Sequence, residues 1–235
     1  MNGVTALVVA AGEGRRFGGP VPKQFLSLGG LPILAHALRA LAVPGLVDAL
    51  VVAVPPGTEA GCLADVVAPL DLGIPVAAVA GGAERQASVR AALDRADAAA
   101  DLVLVHDGVR PFVPRRDLEA VIAAARAHGA ATLGVPVGDT LKRATADGDR
   151  LVTRETVPRE GLWAALTPQA FRRDLLAWAH GAAATAGITG TDDAMLVERL
   201  GHSVALVRGS RANIKITGAE DLAMAEAFLA HPAFS

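Results

Sequence analysis

Glycine and positive charge gather just after the first apolar run of the chain. Ala10-Ala11-Gly12-Glu13-Gly14-Arg15-Arg16-Phe17-Gly18 leads on to Pro20-Val21-Pro22-Lys23-Gln24-Phe25. Glycine turns let backbone N–H groups approach an anion closely. Arg15, Arg16 and Lys23 add fixed positive charge beside them, so a polyphosphate is the natural guest. Two other glycine loops do not fit. The dinucleotide pattern G-x-G-x-x-G needs a third glycine where Phe17 stands, and no acidic residue of the expected spacing closes the second strand. The P-loop needs a Gly-Lys-Ser/Thr, which does not follow.

Three later stretches could share in the same chemistry. Gly81-Gly82-Ala83-Glu84-Arg85 runs towards Ser88. It offers N–H donors and a small hydroxyl to a nucleobase or ribose, although a capped helix start explains it equally well. Asp107 follows an apolar run and precedes Arg110-Pro111. It could hold a divalent metal directly or through water, or cap a turn. His106 reads as a structural histidine. Lys215 falls after the last strong strand pattern, and Thr217 with Glu220 reads as a capping box for the closing helix. Nowhere does a nucleophile stand with a paired base. No G-x-S-x-G occurs, and the single cysteine, Cys62, lies in a helical stretch away from these motifs. Transfer at phosphorus needs little beyond positioning and electrostatics, and that matches the inventory.

These groups need a framework. Short apolar runs at Val4–Ala10, Leu46–Val54, Ile74–Ala80, Leu102–His106, Ala131–Val137 and Ser203–Arg208 read as buried strands. Alanine-rich helical stretches lie between them, near Pro32–Ala42, Glu59–Ala68, Ala83–Ala96, Pro114–His128, Gln169–Ala184, Asp192–Leu200 and Gly218–Leu229. The alternation predicts an α/β fold, a mostly parallel sheet with helices on both faces. Ligands of such sheets bind outside the carboxyl ends of the strands, where the glycine and lysine motifs fall. One segment breaks the rhythm. Residues 139–159 are polar, and Asp147-Gly148-Asp149 between Thr140–Arg143 and Leu151–Arg154 predicts an inserted hairpin. Such a hairpin has no place in the core. It stands in solvent or touches a partner.

Composition narrows the partners. The 235 residues include about 50 alanines, are 52% hydrophobic, and carry a net charge of −2. A basic face for nucleic acid is not expected, and no run approaches the length of a membrane span. One cysteine excludes an internal disulfide and fits a reducing cytoplasm. The length suits a single domain, residues 1–235, with the hairpin as an appendage.

Taken together the motifs carry a resemblance. Ala10-Ala11-Gly12-x-Gly14-x-Arg16-Phe17-Gly18 with Pro22-Lys23-Gln24 resembles the opening of sugar-nucleotide pyrophosphorylases and cytidylyltransferases. Several further pieces follow in order: Gly81-Gly82-x-Glu84-Arg85, Val105-His106-Asp107-x-x-Arg110-Pro111 and Pro136-Val137-x-Asp139-Thr140-x-Lys142. After them come Arg159-x-Gly161-Leu162-Trp163-x-x-Leu166-Thr167-Pro168-Gln169, Thr191-Asp192-Asp193 and Asn213-Ile214-Lys215-Ile216-Thr217. The whole set resembles the 2-C-methyl-D-erythritol 4-phosphate cytidylyltransferases of the non-mevalonate isoprenoid pathway. Asp107-Gly108-Val109-Arg110-Pro111 departs from the common Asp-Ala-Ala-Arg-Pro but keeps its middle residues small or apolar.

The resemblance implies a Rossmann-like nucleotidyltransferase domain whose hairpin is a dimerisation arm. It implies CTP and a polyol phosphate as substrates, with Mg²⁺ bridging triphosphate oxygens. Arg16, Lys23 and Lys215 would be catalytic. Ala10, Ala11, Gly12, Gly14, Gly82, Arg85, Ser88 and Asp107 would bind the nucleotide, with Asp107 also a candidate metal ligand. Thr140, Arg159, Thr191 and Asp192 would bind the acceptor, the first two reaching into the neighbour's site of a homodimer. Ribitol 5-phosphate is the alternative acceptor, making CDP-ribitol.

Overall fold

The structure is a computed structural model that describes residues 3–12 and 21–231. In chain order the elements begin with β1 (Gly3–Val9), β2 (Ser27–Leu28), β3 (Leu31–Pro32), α1 (Ile33–Leu41), β4 (Ala49–Val54) and α2 (Glu59–Gly61). Then come β5 (Val76–Ala80), α3 (Arg85–Arg95), β6 (Ala100–Asp107), α4 (Arg115–His128) and β7 (Ala130–Pro136). The chain closes through β8 (Leu141–Asp147), β9 (Arg150–Val157), β10 (Trp163–Arg172), α5 (Arg173–Ala186), α6 (Asp193–Arg199), β11 (Ala205–Arg208) and α7 (Ala219–Ala230).

Seven strands form one sheet in the order β11-β7-β10-β6-β1-β4-β5. All neighbouring pairs are parallel except those of β10, which runs antiparallel to both β6 and β7. The other six strands therefore share one direction, and their carboxyl ends lie along one edge. Successive side chains of a strand face opposite sides of the sheet, and both sides here are apolar. Val4, Ala6, Val8, Leu102 and Leu104 pack with Leu38 of α1 and Leu118 of α4 on one face. Leu7, Val51, Val103, Val105 and Phe171 pack with Leu93 of α3 and Leu176 of α5 on the other. This double burial explains why the strands read as continuous apolar runs.

Two expectations need correction. The stretch Gln169–Ala184 does not begin as a helix: Gln169–Arg172 completes β10, and α5 starts at Arg173. Proline-bearing Leu166-Thr167-Pro168-Gln169 hid this strand, because proline argues against a central strand. Here the pairing of β10 with β7 shifts register between Leu166 and Gln169, which accommodates Pro168. The cap of α7 also differs. Asp221, rather than Glu220, accepts hydrogen bonds from the Thr217 N–H and hydroxyl at 2.7 and 2.6 Å and from Gly218 N–H at 3.0 Å. The predicted hairpin is β8–β9, a separate two-stranded sheet in which Asp147 pairs with Arg150 across the Gly148-Asp149 turn.

Candidate active site

The carboxyl ends of β1, β4, β5 and β6 open onto a cleft of about 670 Å³. A second cleft of about 280 Å³ adjoins it, lined in part by Thr167, Gln169, Thr191 and Asp192. Arg85, Asp107 and Lys215 line both and form their common wall.

Ala10, Ala11 and Gly12 line the larger cleft directly after β1. Gln24, 1% exposed, donates from Nε2 to the Ala10 carbonyl at 2.6 Å. That bond ties the short turn Lys23–Phe25 to the end of β1 and brings Lys23 to the cleft. Gly14 and Arg16 lie outside the described residues.

Gly81 and Gly82 let the backbone pass where a side chain would collide. A Cβ on Gly81 would stand 2.2 Å from the Ala11 Cβ, and one on Gly82 would stand 2.4 Å from the Ala87 Cβ. The Gly82 N–H donates to Ser88 Oγ at 3.1 Å, and that hydroxyl donates to the Glu84 carbonyl at 3.1 Å. Ser88 thus builds the glycine turn from beneath and is itself buried.

Asp107 closes β6 and is surrounded by cations. Its carboxylate accepts from Arg85 Nε at 3.1 Å and from Lys215 Nζ at 2.8 Å, and Arg110 Nε lies 3.5 Å away. Burial alone would raise its pKa, but Arg85, Lys215 and Arg110 together hold it far below the usual carboxylate range. Lys215 is delivered by an extended segment. Asn213 donates from Nδ2 to the Thr167 carbonyl at 2.7 Å, Arg110 donates to the Asn213 carbonyl at 2.8 Å, and Ile216 N–H donates to the Val109 carbonyl at 2.9 Å.

His106 is structural, as its sequence context suggested. Its Nε2 faces the Arg110 carbonyl at 3.0 Å, so Nε2 carries the proton. Nδ1 is then the acceptor for the Thr167 hydroxyl at 2.9 Å, and that oxygen in turn accepts from Asp107 N–H at 3.1 Å. Burial pushes the imidazole down to about 4, which fits this neutral tautomer. Burial likewise pushes the Cys62 thiol up to about 11, leaving it inert.

Thr191 and Asp192 reach the smaller cleft. Asp192 caps α6 by accepting from Met195 N–H at 2.9 Å, and its other oxygen accepts from Gln169 Nε2 at 2.8 Å. Thr140 and Arg159 reach neither cleft of their own chain: both are exposed, and Arg159 donates to the Gly138 carbonyl.

Three polar residues had no role assigned from the sequence: Asp193, His180 and Gln169. Asp193, 1% exposed, accepts from Arg85 Nη1 at 2.6 Å and is paired with His180 Nε2 at 2.9 Å. Burial opposes its charge, but the His180 hydrogen bond and Arg85 keep it below the usual range. Gln169 accepts from the N–H groups of Asp193 and Ala194, both at 3.1 Å, and so joins β10 to the start of α6. Gln169 and Asp193 stand within the motifs that carry the resemblance, without a role, and His180 gave no signal beyond polarity inside an otherwise apolar helix.

Asp107 does not fit a directly bound metal. Three cations already surround its carboxylate, and the described residues contain no cluster of three His, Cys, Asp or Glu side chains suited to a metal ion.

A family model described as 2-C-methyl-D-erythritol 4-phosphate cytidylyltransferase matches residues 4–231. The chain belongs to that family. Among curated relatives, the enzyme of this name from Pelotomaculum thermopropionicum is 47% identical over 229 residues, 97% of this chain and 95% of the relative. That from Geotalea uraniireducens is 46% identical over 228 residues, covering 96% of each. The crystal structure of the Thermus thermophilus enzyme superposes with a TM-score of 0.80 at 39% identity, covering 97% of this chain and all of that one. The family's cytidylyltransferase activity, its α/β fold and the separate hairpin agree with what the resemblance implied. No described helix is long and apolar enough to cross a membrane.

Proposed function

We propose that the two adjoining clefts bind CTP and 2-C-methyl-D-erythritol 4-phosphate and join them at their shared wall. CMP is transferred to the acceptor phosphate, giving 4-diphosphocytidyl-2-C-methyl-D-erythritol and pyrophosphate. An oxygen of the acceptor phosphate attacks the α-phosphorus of CTP in line. The bond from that phosphorus to the bridging oxygen breaks, and pyrophosphate leaves with the electron pair. The attacking oxygen is already anionic, so no general base is required.

The observation that carries this reading is the position of Lys215 and Arg85 around Asp107, between a glycine-lined cleft and a smaller polar one. The glycine turns at Ala10–Gly12 and Gly82 suit the nucleotide, with Arg85 and Ser88 beneath. Lys23, Arg16 and Lys215 stabilise the negative charge that spreads over the α-phosphate and pyrophosphate in the transition state. Asp107 holds Lys215 in place and faces the ribose. Magnesium belongs with the triphosphate it neutralises, arriving on CTP rather than in a carboxylate cage. Thr191 and Asp192 border the acceptor.

Thr140 and Arg159 serve a second copy of the chain. Every residue of β8 is exposed, and a lone two-stranded hairpin is marginal in water without a partner. Docking on a neighbour supplies one and makes the enzyme a homodimer with shared sites. Residues 1–235 act as one catalytic domain with that arm. Buried, undisulfided Cys62 is compatible with a cytoplasmic home. Pyrophosphate release with methylerythritol phosphate and each of CTP, UTP, ATP and GTP tests the nucleotide half of this reading. CTP alone should support rapid turnover; equal rates with a purine triphosphate would overturn it.

A further inference from the structure

We propose that Asp193, backed by His180, is a positioning residue for nucleotidyl transfer, acting through Arg85 to keep Lys215 at the wall between the two clefts. The proposal rests on the reading of that wall given above. Asp193 itself lines neither cleft.

The geometry is a chain of polar contacts drawn from five parts of the fold. His180 on α5 meets Asp193 at the start of α6 at 2.9 Å. Asp193 meets Arg85 at the start of α3 at 2.6 Å. Arg85 meets Asp107 at the end of β6 at 3.1 Å, and Asp107 meets Lys215 at 2.8 Å. Arg85 uses Nη1 for Asp193 and Nε for Asp107, so its planar fork spans two buried carboxylates. Two anchors fix a guanidinium in orientation where one leaves it free to pivot.

Charge balance gives the arrangement its purpose. Arg85, Arg110 and Lys215 all crowd Asp107. Without Asp193, Arg85 would depend on Asp107 alone and compete there with Lys215. Asp193 takes up that demand from behind and keeps Arg85 on Asp107 Oδ1, while Oδ2 serves Lys215 at 2.8 Å with Arg110 Nε more distant at 3.5 Å. His180, in turn, holds Asp193 on the side away from the cleft. Displacement of a phosphate-binding cation by an ångström is enough to slow transfer severely.

A double-mutant cycle tests this, with kcat and KM measured for Asp193→Asn, Arg85→Gln and both together. Asp193→Asn should lower kcat/KM by about ten- to hundredfold. If Asp193 acts through Arg85, the double variant should be no slower than Arg85→Gln alone. Losses that multiply in the double variant would overturn the proposal, as would near-normal turnover of folded Asp193→Asn. Circular dichroism and a thermal melt of each variant show that it is folded, so partial unfolding does not pass for a slow step. Should Asp193→Asn fail to fold, His180→Asn takes its place in the cycle. It removes the Nε2 partner without touching a cleft and should show a smaller loss that again vanishes on the Arg85→Gln background. Losses that multiply there would overturn the proposal equally. Wild-type turnover in the same assay reports separately on the underlying reading: an inactive wild type contradicts that reading, while an active wild type with an additive cycle contradicts only this inference.

Discussion

At the scale of single residues, the site works by fixed charge. Lys23 is aimed by its neighbour, since the buried Gln24 amide ties the turn to the end of β1. Lys23→Ala should reduce kcat by about 10²–10³-fold, the loss typical of one preorganised transition-state donor, with the thermal midpoint nearly unchanged. Near-normal turnover would contradict its role. His106 gives a prediction of a different kind. Its folded pKa of about 4 lies below the ordinary value of 6.5. Between those values the unfolded chain binds a proton that the folded chain does not, so stability falls as pH drops through that window. The slope from this one group is up to about 1.4 kcal/mol per pH unit. Urea denaturation at pH 7, 6 and 5 should show it, and His106→Gln should remove that part of the slope. An identical slope in the variant would mean that His106 does not titrate as described, since Asp107, Arg110 and Arg85 around it keep their charges between pH 5 and 7.

At the scale of elements, the hairpin β8–β9 is where the fold departs most from an ordinary doubly wound sheet. Arg159→Ala should raise KM for the polyol phosphate about tenfold or more, as expected for loss of one charge-assisted phosphate contact. KM for CTP should stay within twofold. Steady-state kinetics with each substrate varied in turn will separate the two, and an unchanged acceptor KM would argue against the arm reaching a site. Elements differed in how plainly the sequence announced them. β1, β4 and β6 were legible because burial on both faces makes them unbroken apolar runs. The hairpin was legible because polar alternation around Asp147-Gly148-Asp149 has no place in a core. β10 was not, since Pro168 breaks a strand reading and only the register shift opposite β7 makes room for it. The contacts made by Asp193, His180 and Gln169 were equally hidden. They join α5, α6, α3 and β10 across stretches of chain that no local pattern relates.

At the scale of the whole molecule, six strands pointing one way bring together groups that are remote in sequence. Lys23, Arg85, Asp107 and Lys215 come from four separate segments and meet at one edge of the sheet. The net charge of −2 gives no hint of this local excess of cations, because averaging over the chain cancels it. If this edge joins CTP to methylerythritol phosphate, the acceptor should decide the rate. The direct measurement is pyrophosphate release with CTP and Mg²⁺ on 2-C-methyl-D-erythritol 4-phosphate and, in parallel, on ribitol 5-phosphate. The two acceptors differ by little more than a methyl and a hydroxyl, a distinction that few contacts can draw. Turnover with methylerythritol phosphate, at a kcat/KM well above that for ribitol phosphate, is the predicted result. Turnover with ribitol phosphate alone would contradict it.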